Sequence, residues 1–147
     1  MQISPLQLNG FWIGKVVLEP AVKPFVPNAQ ITIQTTPLFR RVDADHRNWI
    51  VELPVTFKSA DGSTAAYEGF VQMTGSFTIT GDLPEEKQME IVGVNAPSIL
   101  YSSVRELVAM LTGHGAHGKL VLPSLSFIDL KLRIPSSPTP SALEERS

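Results

Sequence analysis

The 147-residue sequence contains no cysteine. That absence excludes disulfides, thiol nucleophiles, iron–sulfur clusters and thiolate zinc sites, and it leaves the redox compartment open. An excess of positive charge is missing too. Twelve Lys and Arg against 14 Asp and Glu give a formal net charge of −2, so the chain as a whole attracts neither nucleic acid nor anionic lipid. No apolar run approaches the roughly 18 residues that cross a bilayer. The opening Met1-Gln2-Ile3-Ser4-Pro5 lacks the basic and apolar regions of a secretory leader. The chain therefore reads as a soluble protein with no insertion into a membrane, for which a cytoplasmic home is allowed.

Catalytic signatures are also wanting. The sequence has no phosphate-binding glycine loop, no Gly-x-Ser-x-Gly elbow and no basic aromatic stripe. His114 and His117, set among Gly113, Gly115 and Gly118, offer two imidazoles where zinc takes three or four ligands. They read as exposed histidines at a helix exit. Asp43, Asp45 and His46 lack the ligand pattern and turn glycine of a calcium loop and read as a solvated loop. Glu85 and Glu86 beside Lys87 have no apolar setting that would tune one carboxyl for acid catalysis. No enzyme, metal site or cofactor is expected.

What is present is a chain 43% hydrophobic with 12 prolines, enough apolar content for one core and enough proline for frequent turns and strand edges. Residues 6–19 read as one strand closed by Pro20, followed by an extended linker through Pro24 and Pro27. Ile31 and Ile33 alternate with Thr32 and Gln34 in a short second strand that ends near Pro37. A polar loop from Arg40 to Asn48 follows. Trp49, Val51, Leu53, Val55 and Phe57 then define a third strand by strict period-two alternation. Pro54 within it predicts a sheet edge or a bulge. Asp61-Gly62 marks a hairpin. Beyond it Tyr67, Val71, Met73, Phe77 and Ile79 face one way in a fourth, antiparallel strand, with Phe70 breaking the polar face as a contact surface.

Residues 81–93 are rich in breakers and read as a crossing loop. Pro97 then suits a first helical turn, and Leu100, Val104, Leu107, Val108 and Leu111 recur at helical spacing until Gly113, which predicts a helix of roughly 16 residues. That stripe can seat on the sheet or on a second copy of the helix. Residues 120–134 read as an apolar extended arm, Ile128, Leu130, Leu132 and Ile134 alternating with Asp129, Lys131 and Arg133. Residues 1–134 are expected to form one domain and residues 135–147 a disordered Pro/Ser-rich tail.

From Gln88 onward the sequence resembles the protein-export chaperone family SecB. The resemblance is carried by Gln88-Met89, by Asn95-Ala96-Pro97-Ser98-Ile99-Leu100-Tyr101, by Arg105-Glu106, and by Leu120-Val121-Leu122-Pro123 with Ser126-Phe127. Upstream, Ala66-Tyr67, Val71-Gln72 and Gly75-x-Phe77-x-Ile79 are similar to the family's fourth strand. The likeness spans about residues 6–130. It implies an α+β protomer with a four-stranded antiparallel sheet packed with one long helix in the C-terminal half, assembled as a dimer of dimers. It also implies ATP-independent binding of unfolded preproteins in hydrophobic grooves and their delivery to the SecA motor.

Carried over by position, the resemblance places Met89, Ile91, Ile99, Leu100 and Tyr101 in a client groove. It places Glu19, Glu68 and Phe70 on a partner-docking face, Phe70 standing where the family has an acid. Val104, Leu107, Val108 and Leu111 become candidates for an oligomer interface. Where the family has a second amphipathic helix, the alternating arm and Pro135 here imply a helix that is missing, shortened or replaced by a strand, which leaves the groove more open or differently roofed. Relatives of this fold also serve single clients, including antitoxins, so a dedicated chaperone or an adaptor gripping one folded partner is the second reading. A small-ligand pocket between helix and sheet is the third, without converging polar groups to support it.

Overall fold

The odd-numbered apolar residues from Trp49 to Phe57 and the Tyr67, Val71, Met73, Phe77, Ile79 set are all buried, so one face of the central hairpin is the floor of the core. The computed structural model describes residues 1–42 and 47–129. Their strands are β1 (Leu6–Pro20), β2 (Ile31–Thr35), β3 (Leu38–Arg41), β4 (Asn48–Ser59) and β5 (Tyr67–Ile79), followed by α1 (Glu85–Gly113). They form one antiparallel sheet in the order β1-β5-β4-β2, with β3 also paired to β4. The sheet is thus four strands wide, with β2 and β3 sharing one outer position, which makes five strands where four were expected. The α+β architecture is as read from the sequence.

The extra strand takes Arg40 and Arg41 out of the expected polar loop. It also explains Pro54. Strand β2 pairs with β4 as far as Thr35 opposite Val55, and β3 resumes with Leu38 opposite Glu52. Pro54 therefore falls at the break between them, inside a strand that is neither an edge nor bulged at that point, and the interrupted ladder accommodates a residue with no N–H to donate. At the hairpin, Gly62 has φ +86°, a left-handed value that favours glycine.

The helix is much longer than the sequence suggested. It runs 29 residues, about 43 Å at 1.5 Å per residue, so residues 85–93, expected as a crossing loop, form its first turns. Pro84 caps it, and Glu85 and Glu86 lie in its first turn, where carboxylates suit the helix dipole. Pro97 lies inside the helix, not at its start. It forgoes one rung to the Gly93 carbonyl, a cost of about 3 kcal/mol in an isolated helix. Burial of Val92, Ala96, Pro97 and Leu100 against the sheet outweighs that local cost, each large apolar side chain contributing about 1.5–3 kcal/mol.

After α1 the chain turns at Gly118, φ +84°, and residues 120–127 run back along the helix without regular structure. Ile128 and Asp129 form a short 3₁₀ turn. The remainder of the expected arm, the tail at 135–147, and Asp43, Asp45 and His46 lie outside the described residues.

Candidate functional site

Strand register places the sequence-selected residues on two faces of the molecule. On the outer face, away from the helix, Glu19 lies opposite Glu68, and Phe70 lies between Val17 and Thr56. All three expected docking residues therefore share one face. Glu68 accepts a hydrogen bond from the Ser59 amide at 2.7 Å. That bond, with the Ser59 hydroxyl and the charge of Lys58, holds its carboxyl below the usual range against a smaller opposing effect of desolvation. The same face also carries Lys15 opposite Gln72, Arg40 opposite Ile50, and Lys58 in register with the glutamates. Its charge is mixed instead of acidic.

The five groove candidates do not line one wall. Met89 is half-buried where α1 passes the β3 edge, its sulfur accepting from Arg41 Nη2 at 3.3 Å. The same guanidinium pairs with Glu85 at 2.8 Å and lies over the Trp49 ring at 5.2 Å. Ile91 and Leu100 are nine residues apart, on opposite sides of a 3.6-residue helix. Ile91 and Ile99 are half-buried, whereas Leu100 and Tyr101 are buried among core side chains.

The interface candidates divide in a similar way. Val104 and Val108 are sealed in the protomer core, because this part of the stripe seats on the sheet and not on a second helix. Leu107 and Leu111 are half-exposed beside Met110, which is exposed. The space between helix and sheet is occupied by these core side chains.

What closes over Tyr101 is the returning segment. The Leu120 amide donates to Thr112 Oγ1 at 2.7 Å, Arg105 Nε donates to the Leu122 carbonyl at 2.9 Å, and Tyr101 Oη donates to the Pro123 carbonyl at 2.5 Å. Leu122 is fully buried, and the Phe127 ring meets Tyr101 edge-on with centroids 6.0 Å apart. Burial pushes the Tyr101 phenol up, with Arg105 opposing, so the hydroxyl keeps the proton it donates. His117, expected in solvent, is instead partly buried. Its ring lies 4.4 Å from that of Phe25, its Nε2 is 2.8 Å from the Ala21 carbonyl, and its amide donates to Tyr67 Oη at 2.9 Å.

An exposed apolar strip on β1 was not singled out by the sequence. Strand β1 is a sheet edge paired only with β5 among the described residues. On its core-side face Leu8, Phe11, Ile13 and Val16 continue the floor of the core past the helix, with Phe11 49% and Ile13 47% exposed, and Trp12 on the other face is 50% exposed. The detectable signal was the run Phe11-Trp12-Ile13 and Val16-Val17-Leu18, apolar on both faces where a solvated edge strand should alternate.

Among the described residues no group of three or more His, Asp or Glu side chains converges to hold a metal, and no helix is long and apolar enough to cross a membrane. Known proteins were compared with this fold and sequence. The family model described as preprotein translocase subunit SecB matches residues 7–132. The protein-export protein SecB of Psychrobacter arcticus is 27% identical over 100 residues, 68% of this chain and 66% of its own length. SecB of Acidithiobacillus ferrooxidans is 35% identical over 77 residues, 52% of this chain and 51% of its own. The match thus spans just under two thirds of the length of the first of these relatives and about half of the second. A SecB-like chaperone of Mycobacterium tuberculosis, solved in complex with a ChAD peptide from the HigA1 antitoxin, superposes with a TM-score of 0.61 at 16% identity, covering 83% of this chain and 88% of that one. With a family model matched along most of its length and the α+β fold in agreement, the chain belongs to the SecB family.

Proposed function

We propose that this chain is an ATP-independent holdase, which binds unfolded polypeptides through apolar surface and keeps them competent for export. The observation that carries the reading is a fold of the SecB family in which the apolar side chains of Met89, Ile91 and Ile99 reach the protomer surface. An exposed contiguous apolar surface marks an interaction site, and apolar burial at about 25 cal/mol per Å² rewards many different client sequences. Leu8, Phe11, Ile13 and Val16 are the strip through which protomers pair, and Leu107, Leu111 and Met110 extend the contact on the helix toward a tetramer. Met89, Ile91 and Ile99 are the groove candidates that reach the surface of the protomer. The protein works in the cytoplasm without cofactor or catalysis.

A second reading is favoured by the outer face. There Phe70 replaces an expected acid, and Lys15, Lys58 and Arg40 offset Glu19 and Glu68. Docking of the SecA motor, which the family resemblance implies for this face, would rest on those two glutamates. A chaperone dedicated to one client needs no such docking, and the fold neighbour solved with an antitoxin peptide fits that alternative.

The test is size-exclusion chromatography with light scattering, alone and with one globular protein in reduced unfolded and native forms. A mass near four times 16.1 kDa and co-elution of the unfolded form alone are expected. A monomer that ignores unfolded chains overturns the holdase reading and moves the dedicated partner forward.

A further inference from the structure

Residues 120–127 are held in an unusual way for a segment that buries so much. No strand pairs with them. Their backbone is gripped by side chains from one stripe of α1, Thr112 on Leu120, Arg105 on Leu122 and Tyr101 on Pro123, so the segment runs antiparallel to the helix. Leu122 and Phe127 point inward and are buried, Leu120 and Leu125 are half-buried against the same core, and Val121, Pro123, Ser124 and Ser126 face solvent. An extended peptide with inward apolar residues at 120, 122, 125 and 127 is thus bound in a cradle that contacts its main chain through a side-chain acceptor and two donors indifferent to sequence. That is the recognition an unfolded polypeptide requires.

We propose that this cradle is a polypeptide-binding groove whose resting occupant is the chain's own segment 120–127, and that an extended client segment of similar apolar spacing displaces it. The identity of the displacing occupant rests on the holdase reading above; the displaceable arm does not. The segment follows α1 directly through the Gly113 to Lys119 turn, so it competes at the high effective concentration of a short tether, of order millimolar. Client affinity is then reduced by the fraction of time the cradle is open. Displacement uncovers Tyr101, a groove candidate that the segment closes in the resting protomer.

The absence of native cysteine allows a direct test. In the full chain carrying Leu122→Cys, thiol labelling should be slow, and it should accelerate about tenfold or more on addition of either a millimolar synthetic peptide of residues 119–129 or reduced, carboxymethylated α-lactalbumin. In the full chain carrying Leu122→Ser with Phe127→Ser, the fluorescently labelled peptide should bind about tenfold tighter than to the unsubstituted protein, as for an arm open about one tenth of the time. Labelling unchanged or slowed by the peptide, or equal peptide affinity in a folded variant, overturns the displaceable arm. Should the double variant fail to fold, the labelling experiment decides alone. Acceleration by the peptide but not by the unfolded protein supports the cradle while removing the holdase reading.

Discussion

Gly75 lies opposite Phe11 and Val51 in the centre of the sheet, directly beneath the helix. A Cβ at that position would stand 2.8 Å from Leu100 Cδ2 and 2.7 Å from Phe77 Cε2, both in a close-packed core with no room to yield. Gly75→Ala should therefore cost about 1–3 kcal/mol, visible as a lower urea midpoint with an unchanged slope. Glu68 predicts a pH effect of defined sign. Its folded pKa is lowered by the Ser59 bonds, so its stabilising contribution is present above the unfolded value and is lost as pH falls through the folded one, below the ordinary glutamate range. Glu68→Gln should therefore lower stability slightly at neutral pH, leave it unchanged at the acid end and so flatten the acid limb between them, as followed by thermal unfolding across pH.

Among the elements, those fixed by local alternation were legible and those decided by long-range contact were not. Trp49 to Phe57 and Tyr67 to Ile79 announce their buried face by period two, and Asp61-Gly62 announces their turn, so β4, β5 and their pairing follow from the sequence. The first turns of α1 did not, because Pro97 and Gly93 argue locally against a helix that tertiary burial of Val92 and Ala96 sustains. Strand β3 was missed for a related reason. Four residues carrying two arginines have little strand character of their own, and it is the free edge of β4 that recruits them. Of the site, alternation puts Glu68 and Phe70 on one face of β5, and the register of β1 brings Glu19 beside them. The burial of Tyr101 was not legible, because it depends on where residues 120–127 return.

For the molecule as a whole, the proposed assembly would turn on β1. Its core-side row is continuous with the core yet bare, and a strand of 15 residues with an open edge is a template for pairing. Its register irregularities near Asn9 and Gly14 and the charge of Lys15 restrain that pairing without abolishing it. Replacing Phe11 and Ile13 together by Asp should reduce the light-scattering mass to that of one 16.1 kDa chain. The circular dichroism of the sheet and helix should persist, since neither side chain belongs to the buried core.

The same strand has a consequence during synthesis. The partners of β1 run from Pro20 with Tyr67 to Leu6 with Ile79, so the first strand made waits for the last. At about 5–20 residues per second, the 59 residues between Pro20 and Ile79 take roughly 3–12 s to emerge. Throughout that interval Leu8, Phe11, Ile13 and Val16 trail from the ribosome as an unpaired apolar segment. On the proposed holdase reading, a growing copy of this chain is itself a substrate for a finished copy.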